Sequence, residues 1–368
     1  MEIVRWPEEI GLSTERLERV YDRLDDAVRS GHIPAAAIMV GRYGRCVAPR
    51  YFGRSRLAAD GPPVDEDTLF LVASVTKPVV VTAAMRLVEG GLLALDDAVT
   101  EYVPEFAVRG KEETRIRHLM THTSGLPDML PENVELRRAH APLSEFIERT
   151  CRLEPDFPPG SDIRYQSMGI AVLGEVVARI SGMALPDFLH REIFRPLGMI
   201  NTWLGCPSKQ MERIAHVNVE EEMRGTDWGW NSPYWWGLGA PWGGMISTVT
   251  DLSRFLLAHA RSGAPLLSRA TVEAMARDQT STMAGLPPEV RVGQSWGLGW
   301  RRVAGTQWST YFGDLLSPGS YGHGGATGTV VWIDPQRELT CALFTTEPAV
   351  SSARLLGRCS NMVAASAL

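Results

Sequence analysis

Near the start of the chain, Leu17, Val20, Tyr21, Leu24 and Val28 recur at helical spacing between a capping Ser13 and Gly31. That pattern predicts a helix over this stretch. Two short extended runs, from Pro34 to Gly53, flank the stretch Gly41 to Gly44 and read as a hairpin. Helical spacing returns from Val79 to Val88 and stops at Gly90-Gly91. From about residue 78 to 244, helix-like segments such as Met168 to Ile180 alternate with loops rich in Pro and Gly. The clearest loops are Thr123 to Asp128, Asp156 to Asp162 and Trp228 to Gly244. Beyond a helical stretch from Leu252 to Ala260, the segments WGLGW (296–300), TVVWI (329–333) and LTCALFTT (339–346) look like strands. A last amphipathic helix begins near Ser351. Extended segments thus lie at both ends and helices in the middle. The economical architecture is an α/β (α+β) fold, with one sheet domain built from residues 1–77 and 245–368 and a mainly helical domain, 78–244, inserted in it.

Composition narrows the function classes. The 368 residues suit two domains, and 44% hydrophobic with 22% charged residues is ordinary for a globular protein. A formal charge of −6 without a basic run argues against nucleic acid as a partner. Cys46, Cys151, Cys206, Cys341 and Cys359 are odd in number and include no CxxC pair, so buried thiols are expected instead of a disulfide framework or a zinc ribbon. The start MEIVRWPEEIGLST lacks the apolar core of a signal peptide, and the apolar run Ile33 to Val40 is too short to span a bilayer. The expectation is a soluble cytoplasmic protein with no membrane partner, or the processed form of an exported one.

Only Lys77, Lys111 and Lys209 among the 37 basic residues are lysines, so each can be inspected. Lys77 lies three residues after Ser74, at the predicted start of a helix, where residues i and i+3 share a face. A buried amine loses its proton easily and can then take one from a serine hydroxyl. Alone, S-x-x-K is a weak signal. A serine-lysine site also needs a second proton-handling group and an oxyanion hole. Tyr165, at a loop-to-helix junction and followed at +2 by Ser167, can supply the first. The Ser167 hydroxyl can bind substrate or order the lysine. His323-Gly324-Gly325, just ahead of a strand, offers glycines that let a ligand approach the backbone closely.

Taken together, these motifs resemble those of the serine β-lactamases of class C type, the penicillin-binding DD-peptidases and the related family VIII esterases. S-x-x-K falls on Ser74 to Lys77, Y-x-N/S on Tyr165 to Ser167, and K/H-x-G on His323 to Gly325. The blocks HLMTHTSGLPD (118–128), FPPGSDIRYQS (157–167), IFRPLGMINT (193–202), PWGGMISTVTDLSRF (241–255) and GLGW (297–300) extend the resemblance over about residues 10 to 360. It implies a β-lactamase/transpeptidase-like fold with a mainly antiparallel sheet, and a site between the two domains. It also implies Ser74 as nucleophile, Lys77 as base and Tyr165 as proton donor to the leaving group. The backbone N–H groups of Ser74 and Ala326 would form the oxyanion hole, with no cofactor and no metal. Ser167 replaces a frequent Asn, and His323 a lysine usual in true β-lactamases. Both departures count against a dedicated β-lactamase with carboxylate-bearing substrates and suit an esterase or amidase better, and a carboxylesterase on small esters is the leading expectation. A D-amino-acid amidase or peptidase, a weak β-lactamase, and a covalent penicillin-type binder or sensor that deacylates very slowly are the alternatives.

Three competing readings lack support. No serine carries the glycines of G-x-S-x-G, and no nucleotide-binding glycine motif stands between a strand and a helix. His118 and His122 have the i, i+4 spacing of a metal pair but no Glu between them, so bonds to backbone are expected there. The loop from Trp228 to Trp242 holds five of the eleven tryptophans. Trp235 and Trp236 are its candidates for the wall of a substrate pocket, against packing of the loop onto the helices.

Overall fold

The computed structural model describes residues 1–58, 60–260, 263–303 and 311–368. Its large sheet runs in the order β1 (Ile3–Val4), β3 (Arg45–Val47), β2 (Ala35–Arg42), β11 (Leu339–Thr345), β10 (Thr329–Asp334), β9 (Tyr321–Gly325) and β8 (Arg301–Arg302). An eighth strand, β4 (Arg50–Gly53), also pairs with β2. β1 and β3 are parallel, and the other pairs are antiparallel. The two chain ends meet in the middle of the sheet, where β2 pairs with β11 from Arg42↔Leu339 to Ala36↔Thr345.

Both faces of this sheet are covered, which explains why its central strands read as nearly unbroken apolar runs. Side chains alternate between faces along each strand. On β2, Ala36, Ile38 and Val40 join one core, with Leu17, Val20 and Leu24 of the helix Thr14–Arg29 and Leu355, Leu356 and Val363 of the helix Ala349–Ser366. Ala35, Ala37 and Met39 join the other core, which runs on into the helices Thr76–Glu89, Met168–Ser181 and Val249–Ala260. Ser13 caps the first helix by accepting the Arg16 N–H at 3.3 Å.

A second, three-stranded sheet has the order β5 (Phe70–Leu71), β7 (Met245–Ser247), β6 (Trp203–Leu204). It anchors the chain just ahead of Ser74, because Val72 N–H donates to the Met245 carbonyl at 3.0 Å. No single helix among the described residues is long and apolar enough to cross a membrane.

Two expected elements differ. WGLGW is a tight turn that leads into β8, not a strand: Gly299 has φ +73°, the Gly297 N–H donates to the Trp300 carbonyl at 2.8 Å, and Trp296 bridges to Arg301. A left-handed glycine breaks the extended course while Trp296, Leu298 and Trp300 stay buried. The tryptophan-rich stretch is not all loop. Pro233–Leu238 forms a short helix with Pro at its first position and Ser232 accepting the Trp235 N–H at 3.2 Å.

Candidate active site

Ser74 sits in a short 3-10 turn, Ala73–Val75, that runs directly into the helix Thr76–Glu89, with Pro78 in its first turn. The preceding Ala73 is held at φ +46°, a left-handed conformation that costs a non-glycine residue about 1–3 kcal/mol. Thr76 fixes the turn: its hydroxyl donates to the Ala73 carbonyl at 2.6 Å and accepts the Met245 N–H at 3.1 Å.

Lys77 is fully buried, with Nζ 3.0 Å from Ser74 Oγ and 2.8 Å from the Trp242 carbonyl. That carbonyl can only accept, so one N–H is committed to it. In the neutral amine this leaves the lone pair free for the Ser74 O–H. Burial pulls the Lys77 pKa down to about 7, and the negative charge of Asp128 pulls the other way. Tyr165 lies over the amine, its ring centroid 4.7 Å from Nζ, and lines the same cleft as Ser74. Burial pushes the Tyr165 phenol well above its ordinary range, so it holds its proton.

β9 brings the third motif alongside. Gly325 pairs with Thr329 across the β9–β10 turn. The hydroxyls of Thr327 and Thr329 donate to the carbonyls of Leu71 and Val72 at 2.6 and 2.9 Å, tying that turn to the segment before Ser74. A Cβ on Gly325 would lie 2.4 Å from the Val72 carbonyl oxygen and 2.2 Å from Thr329 Oγ1, so this approach requires glycine. Ser74, Tyr165, His323, Gly324, Gly325 and Ala326 all line one cleft of about 250 Å³. His323 is buried, its Nδ1 lies 2.8 Å from the Gly324 carbonyl and, as the protonated nitrogen, donates to it. Burial, reinforced by the Lys77 charge, lowers its pKa to about 3. The imidazole is therefore neutral at working pH and supplies no cation in the place where a lysine would.

The other sequence candidates lie elsewhere. Ser167 is buried at the start of the helix Met168–Ser181, and its hydroxyl donates to Asp128 Oδ1 at 2.6 Å. It is not among the residues that line the cleft of Ser74. It reaches the site indirectly, by holding the carboxylate whose charge acts on Lys77. Trp235 and Trp236 are buried and lie outside that cleft. Trp235 packs edge-on against Trp242, and Trp236 packs against His216.

Sequence reasoning missed several neighbours. The His122 ring packs 4.7 Å from Tyr165 and 4.2 Å from Trp296, and its Nδ1 accepts the Gln166 N–H at 3.2 Å. The chain leaves its helix at Met120 and holds His122 at φ +61°, so His118 and His122 do not share a helix face. His118 Nδ1 instead accepts the Arg115 N–H at 3.1 Å. Trp296, Arg301, Tyr311 and Phe312 complete the cleft. The signal for Trp296 and Arg301 was the GLGW block, whose role as a turn carrying them into the cleft depends on strand pairing that spacing does not reveal.

The family model described as Beta-lactamase matches residues 17–356. The chain is 35% identical to Esterase EstB of Burkholderia gladioli, over 84% of this chain and 85% of that protein. It is 30% identical to Penicillin-binding protein 4 of Amycolatopsis lactamdurans, over 88% and 84%. Among solved structures, EstCE1, described as a hydrolase with promiscuous acyltransferase activity, superposes with a TM-score of 0.78 at 22% identity, covering 95% of this chain and 98% of that one. A penicillin-binding protein homologue from Caulobacter crescentus gives 0.77 at 24% identity, covering 97% and 99%.

Proposed function

We propose, from the premise that this chain belongs to the beta-lactamase family of serine hydrolases, that it is a carboxylesterase acting on small esters through an acyl-enzyme on Ser74. The observation that carries the mechanism is Lys77: an amine 3.0 Å from the hydroxyl, with a pKa near 7, is a base at neutral pH. Lys77 takes the Ser74 proton as Oγ attacks the ester carbonyl. The oxyanion forms against the backbone N–H groups of Ser74 and Ala326. As the tetrahedral centre collapses, the alkoxide leaves with the Tyr165 proton, which the Lys77 ammonium replaces. Deacylation runs the same relay for a water. The neutral His323 and the similarity to an esterase favour esters over β-lactams.

One observation favours a second reading, hydrolysis of D-amino-acid peptides or β-lactams: Arg301 lines the same cleft and can pair with a substrate carboxylate. Steady-state turnover of p-nitrophenyl butyrate, nitrocefin and a D-alanyl amide separates the readings. The ester is expected to have the highest kcat/KM. A higher value for either amide substrate overturns the esterase reading, and a single acylation burst without turnover identifies a sensor.

The relay fixes the pH dependence. Below its pKa Lys77 carries a proton and cannot act as base, so kcat/KM is expected to fall as pH drops through about 7. Asp128 favours the ammonium, so Asp128→Asn lowers the Lys77 pKa and moves this acid limb to lower pH. A pH–rate profile of the two proteins checks the direction. Gly325→Ala forces the end of β9 away from Val72 and is expected to cost about 10²-fold in kcat and to lower the melting temperature. Kinetics and a thermal melt of that variant measure both.

A further inference from the structure

A second cleft, of about 420 Å³, adjoins the nucleophile's cleft, and the two share Tyr311 and Ala326. Tyr165 lines the first cleft and not the second. In the reaction proposed above, the leaving group departs on the Tyr165 side, while the carbonyl oxygen faces Ala326. The remaining substituent of the carbonyl, the acyl chain, therefore runs past Ala326 into the second cleft.

The walls of that cleft are largely apolar: Val219, Met223, Trp230, Pro348 and Val350. Among them stands Arg137, 8% exposed, at the end of the short helix Asn133–Arg138. Its guanidinium lies 4.1 Å over the Trp235 ring, and its Nε and Nη2 both donate to the single Trp228 carbonyl at 3.3 and 3.1 Å. Among the described residues it forms no ion pair with a carboxylate. Stacking on tryptophan offsets part of its desolvation, but a buried charge ordinarily finds a counter-charge. Burial lowers its pKa only to about 10, so it stays charged at neutral pH. The cleft also receives the start of the helix Ala349–Ser366, whose first N–H donates to the Ala326 carbonyl at 2.9 Å and whose end carries partial positive charge. Glu220 is the opposing charge, exposed at the rim.

We infer that this second cleft is the acyl subsite, and that it takes an apolar acyl chain ending in a carboxylate, which Arg137 binds. The inference rests on the proposed esterase reading and deepens it. An ester of a dicarboxylic acid would place its methylene chain against Trp230 and Met223 and its free carboxylate on the guanidinium, which forms charge-assisted bonds.

The test compares the mono-4-nitrophenyl ester of suberic acid with 4-nitrophenyl octanoate, equal in chain length and different in terminal charge. Wild-type enzyme is expected to favour the suberate ester by about tenfold or more in kcat/KM. Arg137→Met should drop the suberate-to-octanoate ratio below one, and Arg137→Lys should keep part of the preference. A collapsed Trp228 loop would slow both esters together and leave the ratio alone, so the ratio separates binding from structural damage. Equal or better use of octanoate by the wild type, or a ratio unchanged in Arg137→Met, overturns the inference while leaving the esterase reading standing. Failure to turn over either ester, with no acyl group on Ser74, overturns the esterase reading itself.

Discussion

Lys77→Met is expected to lower kcat on p-nitrophenyl butyrate by about 10³–10⁴-fold, the usual worth of a positioned general base. Methionine is close in length to the lysine stem, so it fills the fully buried space that alanine would leave as a cavity. It loses the bonds to Ser74 and to the Trp242 carbonyl, and with them the amine whose pKa lies near 7. The acid limb near pH 7 should disappear along with the rate, because the ionisation that produces it is gone. A folded variant that keeps that limb would assign the ionisation to another group. Stopped-flow measurement of the acylation step, set beside a thermal melt, separates loss of the base from loss of structure.

The second large effect is Tyr165→Phe, expected to cost about 10³-fold in kcat with the fold intact. Phenylalanine preserves the ring that packs on His122 at 4.7 Å and covers the Lys77 amine, so the packing survives. Only the hydroxyl is removed. Burial keeps the phenol protonated, so in the proposed relay it gives a proton to the leaving alkoxide, and the loss should be largest for poor leaving groups. Esters of aliphatic alcohols should therefore suffer more than p-nitrophenyl esters, whose leaving group needs little protonation. Near-normal activity on both classes would remove Tyr165 from the relay.

Much of this was legible in the sequence because its signals are local. The helix from Thr14 to Arg29 follows from apolar spacing and a Ser cap, and the strands β10 and β11 from TVVWI and LTCALFTT. Ser74 and Lys77 could be placed together because three residues along a helix turn bring them side by side. Tyr165 and His323 to Gly325 stood out by their loop and glycine settings, but the family resemblance joined them, with Ala326, into one site, since nothing local tells a chain that residues far apart share a cleft. The rest was hidden for the same reason. WGLGW carried alternation of large and small residues suited to a strand, yet Gly299 turns the chain there. Ser167 reads as binding substrate or ordering the lysine, and its hydroxyl bonds to Asp128, the carboxylate whose charge acts on Lys77. Trp235 and Trp236 could not be distinguished by composition from Trp230, yet they pack inward while Trp230 faces the second cleft. Arg137 gave no signal at all, being one arginine among many.

The central claim is that Ser74 carries the acyl group, and peptide mapping of the quenched enzyme tests it most directly. Wild type and Tyr165→Phe, mixed with p-nitrophenyl butyrate and acid-quenched before deacylation completes, are digested and analysed by mass spectrometry. The account predicts a butyryl increment on the peptide containing Ser74, greater in the slow variant, and none in Ser74→Ala, which should also lose turnover and labelling by a fluorophosphonate. An increment on another residue, or turnover persisting in Ser74→Ala, would contradict it.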